Sequence, residues 1–178
     1  MIYFKNLKNA MELIGSKKKS IFIGQAVSYP GTAMFNTLKN INKKKLIELP
    51  VAEEMQMGMT IGMMMSGYTP ISIYPRFNFL LLAINQLVNH LDKFNEMTGN
   101  PKKFKSIIRT SIGSKNPLNP QSQHLGDYSE SLKKMCKSIN IVKLKNPNEI
   151  KKEYMKAFNR KDGISTILIE YGDYYNTK

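Results

Sequence analysis

The sequence predicts an α/β domain in which helices cover both faces of a doubly wound parallel sheet, giving three layers. Short apolar runs that suit buried strands alternate with segments of helical apolar periodicity along the whole chain. No linker or internal repeat stands out, and 42% of the residues are hydrophobic, which is enough for a core of ordinary size. We therefore expect one domain over residues 1–178.

Six apolar runs have the length expected of buried strands. They are SIFIG (20–24), KLIEL (45–49), PISIYP (70–75), KSIIRTSIG (105–113), NIVKLK (140–145) and STILIEY (165–171). Pro50 ends the second run, and prolines bound the third. Because doubly wound sheets bind ligands beyond the carboxyl ends of their strands, the segments after these runs are candidates for a site.

Between the strands, apolar residues recur at the three- and four-residue spacing of amphipathic helices. The predicted helices cover 7–14, 32–41, 52–66, 78–94 and 127–139, and a last one opens at 147–149. The clearest helix has Asn78 as its N-cap and repeats leucine and isoleucine up to Phe94. The polar stretch at 114–126 is predicted to be a loop.

The chain is strongly basic, with 27 Lys and Arg against 13 Asp and Glu. Lysines near 17–19, 43–45 and 102–105 could neutralise phosphates, which leaves nucleic-acid binding open as an alternative. Only three of the basic residues are Arg, the side chain that base readers favour, and no zinc-finger, RNA-recognition or helix-turn-helix motif is present. An AT-rich genome would produce the same lysine excess on any solvated surface.

Cysteine and histidine are scarce. Cys136 stands alone and cannot form an internal disulfide, and His90 and His124 are too few for a zinc cluster. The N-terminus is too polar for a signal sequence, and the most apolar run, 57–65, is far shorter than the ~20 residues that span a bilayer. We expect a cytoplasmic protein with no membrane contact and no metal site of its own.

Common nucleotide and hydrolase motifs are absent, since the chain has no G-x-G-x-x-G after a strand, no P-loop and no G-x-S-x-G. The predicted strand ends instead carry Glu53 and Glu54 at the mouth of a Met- and Gly-rich helix, an aromatic segment, and a loop with His124. Acidic residues in a first helical turn also suit the helix dipole, so a charged helix start is the alternative explanation for the glutamates.

The run LPVAEEMQMGMTIGMMMSGYTPISIYPRFNFLLLAINQLVNH (49–90) resembles the pyrimidine-binding domain of thiamine-diphosphate enzymes. It is most similar to the beta subunits of pyruvate and branched-chain 2-oxoacid dehydrogenases, and more distantly to the central domain of transketolase. The matching elements are Pro50-Val51-Ala52-Glu53, Gly58 and Gly62, Gly67-Tyr68-Thr69-Pro70, Phe77-Asn78-Phe79 and Ala83-Ile84-Asn85-Gln86. SIFIGQAV (20–27) lies where the family has a strand ending in Leu-Gly-Glu-x-Val. The resemblance implies the thiamin-diphosphate-binding fold.

The resemblance also implies roles for single residues. Glu53 matches the glutamate that hydrogen-bonds N1′ of the cofactor's aminopyrimidine and shares a proton with it, and Val51 with the neighbouring Met residues would form its apolar surroundings. Phe79 matches the aromatic side chain that stacks on the pyrimidine, although it also fits a core position. The family's loop histidine, which assists proton transfer, aligns strictly with Ser122. His124 follows two residues later and takes that role if the loop is shifted, whereas a solvent-exposed histidine is the alternative.

Three other features have two explanations each. Gly58 and Gly62 leave one helix face bare, which either allows close packing at a subunit contact, as in the family, or is merely tolerated. Arg76 would stand at the crevice rim, facing an anionic substrate or a partner's carboxylate. His90 is expected to be structural or exposed.

A missing motif implies a partner. In the family, Mg²⁺ at a Gly-Asp-Gly motif followed by Asn holds the cofactor's diphosphate in another domain, and this chain has no such motif. The chain also stops short of the C-terminal domain of the family's beta subunits. The resemblance therefore implies a free-standing pyrimidine module that needs an alpha-type subunit, with Mg²⁺ held mainly by that subunit and a heterotetramer as the assembly.

The resemblance implies a beta-type subunit of a thiamine-diphosphate-dependent enzyme, active only with its partner chain. Such an enzyme cleaves the carbon-carbon bond next to the carbonyl of a 2-oxo acid or ketose, as a dehydrogenase, a decarboxylase or a transketolase-like enzyme. A non-catalytic interaction module that keeps the fold is the first alternative. A basic nucleic-acid-binding protein is the second.

Overall fold

The computed structural model describes residues 2–99, 104–116 and 119–176, which form a six-stranded sheet. The strands are β1 (Ser20–Gly24), β2 (Leu46–Glu48), β3 (Thr69–Tyr74), β4 (Ile107–Ile112), β5 (Ile139–Lys143) and β6 (Ser165–Tyr171). Their order is β2-β1-β3-β4-β6-β5, and each pair of neighbours runs parallel. The predicted doubly wound parallel sheet is confirmed.

Helices cover both faces of this sheet. One face carries α1 (Ile2–Gly15), α2 (Ala33–Leu38) and α7 (Ile150–Asn159). The other carries α3 (Glu53–Met65), α4 (Phe77–Leu80), α5 (Phe94–Thr98) and α6 (Ser129–Met135). Because side chains alternate across a strand, neighbours such as Ile107 and Ile108 of β4 enter different cores. The three-layer prediction is confirmed as well.

The winding direction reverses between β1 and β3, which are neighbours in the sheet. After β1 the chain moves outward to the edge strand β2, and α3 then leads back to β3 on the other side of β1. The loops that leave the carboxyl ends of β1 and β3 therefore diverge. Doubly wound folds bind their ligands at such a switch point.

The helix predicted from Asn78 to Phe94 is interrupted. After α4, a 3-10 turn occupies Leu81–Ala83 and a π-helix occupies Gln86–Leu91, before α5 begins at Phe94. The apolar spacing was read correctly, because Leu80, Leu87 and Leu91 are all buried. Periodicity of this kind is compatible with changes of helix type, which the sequence pattern did not reveal.

Asn78 is not a helix cap, so that prediction is wrong. Arg76 holds the N-cap position of α4. The Asn78 side chain instead donates to the Tyr128 hydroxyl at 2.9 Å and accepts from the N–H of Gly126 at 3.3 Å. Contacts with a loop about 50 residues away thus take the place of the local capping bond.

A buried ion pair joins β4 to β6. Arg109 binds both carboxylate oxygens of Glu170, at 2.7 and 3.0 Å, and also donates to the Thr37 hydroxyl of α2 at 2.8 Å. The hydroxyls of Tyr154 and Tyr175 complete the shell of Glu170 at 2.6 and 2.5 Å. Because each charge meets several partners, this network satisfies the buried charges of Arg109 and Glu170.

Candidate functional site

Glu53 and Glu54 begin α3, but their surroundings differ. Glu53 is only 3% exposed, whereas Glu54 faces solvent. Oε1 of Glu53 accepts a hydrogen bond from Nε2 of Gln25 at 3.0 Å, and its main-chain carbonyl accepts one from the Tyr74 hydroxyl at 3.2 Å. The helix dipole favours a carboxylate at this position, yet it does not account for the burial of one glutamate and not the other.

Gln25 and Tyr74 connect Glu53 to both sides of the switch point. Gln25 directly follows β1, and Tyr74 is the last residue of β3. Burial raises the pKa of the Tyr74 hydroxyl above its ordinary value, so this side chain stays a neutral donor. Glu53 therefore lies between the carboxyl ends of β1 and β3, whereas the sequence predicted only that it follows the carboxyl end of β2.

The loop after β1 wraps around the carboxylate of Glu48, the last residue of β2. The backbone N–H groups of Ala26, Val27 and Ser28 donate to Glu48 at 2.8, 2.7 and 2.6 Å. Ala26 adopts the left-handed conformation with φ of 56°, which turns the three donors toward one acceptor. Sequence reasoning missed both Glu48 and Gln25, although each lies at the carboxyl end of a predicted strand.

Val51 does not surround Glu53 as predicted. Its side chain is 78% exposed. It lines an open cleft of about 520 Å³ together with Gln25, Tyr29, Glu48, Leu49 and Pro50. The bend at residue 51 turns the side chain outward before α3 begins, while Met57 of the same helix is fully buried.

Phe79 and His124 lie against each other. Their ring centroids are 5.1 Å apart with an interplanar angle of 53°. Both side chains are half-buried, and Nδ1 of His124 is shielded from solvent without a hydrogen-bond partner among the described residues. Ser122, the strict match to the family's histidine, is exposed. The structure therefore brings His124, and not Ser122, next to the aromatic residue.

The loop that carries His124 is held by Arg76. The guanidinium of Arg76 donates to the main-chain carbonyls of Ser114 and His124 at 3.2 and 3.4 Å. Positive φ at Gln121 and His124, both 54°, gives the loop its turns. Arg76 thus has a structural partner in the loop, while His90 is exposed, in agreement with one of its two explanations.

The glycine face of α3 is open to solvent. Gly58 and Gly62 are exposed, and a Cβ added to either would meet no described atom within 4 Å. Met55, Met59 and Met65 on the same helix are 46%, 37% and 61% exposed. Within the described part of the chain, no other helix therefore packs closely against these glycines.

Neither a metal-binding cluster nor a membrane-spanning helix is present in the described part of the chain. It contains no group of three or more His, Cys, Asp or Glu side chains that could hold a metal ion. None of its helices combines the length and the apolar character needed to cross a bilayer.

Comparison with known proteins identifies relatives with a partial match in length. No protein-family profile matches the sequence. The chain is 29% identical to the pyruvate dehydrogenase E1 component subunit beta of Chaetosphaeridium globosum over 138 residues, which cover 74% of this chain and 42% of that protein. The corresponding subunit of Gracilaria tenuistipitata var. liui is 27% identical along the whole chain, which covers 55% of it. A chloroplastic beta-3 subunit of Oryza sativa subsp. japonica is 30% identical over 135 residues, which cover 75% of this chain and 33% of that protein.

Solved structures support the fold. A split-gene transketolase, described as an inactive beta4 tetramer, aligns with 94% of this chain and 50% of its own at a TM-score of 0.70 and 14% identity. Benzoylformate decarboxylase from Polynucleobacter necessarius aligns with 96% of this chain and 33% of its own at a TM-score of 0.60 and 12% identity. The chain spans about half the length of the curated relatives it matches. It is a partial-length relative of pyruvate dehydrogenase E1 beta subunits, with the pyrimidine-binding fold of thiamine-diphosphate enzymes, as the resemblance over residues 49–90 implied.

Proposed function

We propose that this chain is the pyrimidine-binding, beta-type subunit of a heteromeric thiamine-diphosphate-dependent enzyme. The enzyme would cleave the carbon-carbon bond next to the carbonyl of a 2-oxo acid or ketose. The relatives named as E1 beta subunits support the class of protein. The observation that carries the proposal is the buried carboxylate of Glu53 at the switch point of the sheet.

The residues at the switch point fit the pyrimidine half of this cofactor. Glu53 has Oε1 bound to Gln25, and Oε2 accepts no hydrogen bond from any described residue, which leaves one oxygen for a ring nitrogen. The open cleft beside Gln25 and Val51 offers room. Phe79 of α4 and His124 in the loop after β4 supply ring faces. A buried carboxylate with a vacant acceptor is what an aminopyrimidine requires.

Each residue has a defined task in this proposal. Thiamine diphosphate, when bound, would supply a nucleophilic carbon and an acceptor for the charge that bond cleavage leaves. Glu53 would hold N1′ and exchange a proton there. Phe79 would contact the pyrimidine face, Val51 would flank it, and Nδ1 of His124 would donate or accept a proton on the substrate side.

A partner chain is part of the proposal. The sequence has no Gly-Asp-Gly and Asn motif, so an alpha-type subunit would hold the diphosphate and most of the Mg²⁺ coordination. We place the assembly, a heterotetramer, in the cytoplasm. The outcome of the reaction, oxidation, transfer or simple release, would depend on that partner.

The test is Glu53→Gln in the complex of this chain with an alpha-type subunit that carries the missing motif. The substitution keeps the size of the side chain and removes its proton exchange. We expect turnover of 2-oxo acids or ketoses to fall by a factor of about 10² to 10⁴, the usual contribution of a general acid-base group. Steady-state rates with thiamine diphosphate and Mg²⁺ measure this loss.

The control is Glu54→Gln, which changes the exposed neighbour and should leave turnover near the wild-type rate. Calorimetric titration with thiamine diphosphate, and gel filtration of the complex, check that Glu53→Gln still assembles. Unchanged turnover in Glu53→Gln would contradict the proposed role.

A non-catalytic interaction module is the second candidate function. The exposed methionines and glycines of α3 favour it, because they form a ready contact surface without any chemistry. It predicts a stable complex with the alpha-type subunit that takes up no thiamine diphosphate in the same calorimetric titration.

A further inference from the structure

Gln25 makes the only side-chain hydrogen bond to the Glu53 carboxylate within the described residues. The bond joins Nε2 and Oε1 at 3.0 Å, across 28 positions in sequence. We propose that Gln25 is a positioning residue whose amide N–H stabilises the Glu53 carboxylate and fixes its orientation while the other oxygen stays available. This inference deepens the proposed function and rests on it for its catalytic meaning.

An amide and a carboxylate at position 25 would have opposite effects on the charged form of the Glu53 carboxylate. The amide N–H donates to an ionised carboxylate and favours its charged form. A glutamate in this place would put a like charge within hydrogen-bond distance of Glu53 and favour the protonated form of one of the two groups. Gln25 therefore gives Glu53 a neutral donor where a carboxylate at the same position would give it a like charge.

The backbone before and after Gln25 is held firmly enough for such a task. Gly24 has φ of 139°, and a Cβ added there would collide with the carbonyl oxygen of Ile73, so β1 must end on glycine. On the other side, three consecutive N–H groups bind the carboxylate of Glu48. Residue 25 is thus fixed between a close strand contact and a clamped loop.

The same helix provides a matched control. Gln86 donates through Nε2 to Oε1 of Glu54 at 3.1 Å, which is the same chemistry one residue further along α3. Glu54 is exposed, whereas Glu53 is 3% exposed. Solvent screens the exposed pair, so only the buried pair should respond strongly to a change of charge at the glutamine.

The experiment is an NMR titration of the full chain with glutamate labelled at the side-chain carboxyl carbon. Spectra are taken for wild type, Gln25→Glu, Gln25→Met and Gln86→Glu, and Glu53→Gln assigns the resonance. We expect the pH at which Glu53 loses its proton to rise by about one unit or more in Gln25→Glu, and to rise in Gln25→Met, which removes the donor but keeps the length. Glu54 in Gln86→Glu should shift by a few tenths of a unit at most.

A Glu53 titration in both Gln25 variants that stays within a few tenths of a unit of wild type overturns the inference. Gln25→Met keeps the test decisive if Gln25→Glu does not fold. Turnover of the assembled complex is measured separately as a function of pH. The acid limb of this pH-rate profile should move to higher pH in the variants in which the titration of Glu53 moves to higher pH. If the complex turns over but the titration of Glu53 does not shift in the Gln25 variants, only the role of Gln25 is contradicted. If the titration shifts but the complex shows no thiamine-diphosphate-dependent turnover, only the proposed function is contradicted.

Discussion

At the scale of single residues, burial separates side chains that look alike in sequence. Glu53 and Glu54 are adjacent, yet only the first enters the switch point. Arg109 differs in the same way from the exposed basic residues. Burial alone would lower the pKa of its guanidinium, but Glu170 raises it above the ordinary value. Burial, and then the charge of Glu170, also raises the pKa of Tyr154, which therefore remains a neutral donor.

Arg109→Met should destabilise the chain strongly. The substitution leaves Glu170 buried without its cation, and removing one partner of a buried pair costs about 3–5 kcal/mol. Urea unfolding followed by circular dichroism measures the free energy of unfolding. The double variant Arg109→Met with Glu170→Gln should lose less, because no unpaired charge remains. A single variant that unfolds at the wild-type urea concentration would contradict this account.

At the scale of elements, α3 has two faces with different requirements. Its inner face buries Met57 and Met64 and places Gln56 and Thr60 on Ser72 of β3 through hydrogen bonds of 2.9 to 3.0 Å. Its outer face carries the bare glycines and the exposed methionines. A helix that tolerates two glycines gives up stability, because glycine lowers helix propensity by about 1 kcal/mol relative to alanine.

Gly58→Ala and Gly62→Ala should stabilise the isolated chain by about 0.5–1 kcal/mol each. The added methyl groups meet no described atom, and the unfolded chain loses freedom. The same variants should weaken association with an alpha-type subunit or a second copy if that surface approaches the glycines closely. Urea unfolding gives the first effect, and analytical gel filtration of the complex gives the second. Stabilised variants that assemble normally would show that the glycines are merely tolerated.

At the scale of the whole molecule, the net charge of +14 is the feature that the fold does not explain. Lys45 shows how a lysine can serve the chain itself, since its Nζ donates to the main-chain carbonyls of Gly15 and Lys17 at 2.8 and 2.5 Å. Such a use caps the end of α1 and needs no nucleic acid.

The chain should not hold DNA or RNA at physiological salt. Phosphate contacts alone give weak binding that falls steeply with salt, by a factor of about 10³ to 10⁵ between 50 and 200 mM for six to ten contacts. Fluorescence anisotropy with a labelled duplex and a labelled single strand across this range tests the point. Tight binding that persists at 200 mM salt would contradict this prediction and favour the alternative of a nucleic-acid-binding protein.

The sequence by itself determined the fold class and the location of the candidate site. Apolar periodicity and strand punctuation are local signals, so they predicted all six strands and placed Glu53 beyond the end of β2. The resemblance over 49–90 then supplied an expectation for its chemistry. The predicted helix 127–139 was too long, because α6 spans only Ser129–Met135 and Ile139 already belongs to β5.

Only the tertiary structure decided which side chains meet. Gln25 and Glu53 are 28 residues apart, and Arg109 and Glu170 are 61 apart, so neither pairing follows from local pattern. The choice of His124 over Ser122 beside Phe79 depends on two loop turns with positive φ, and the exposure of Val51 depends on one bend. A short-range pattern predicts which face of a helix or strand a residue occupies, but it does not predict which distant residue lies opposite. Strand order and the course of the loops determine these contacts.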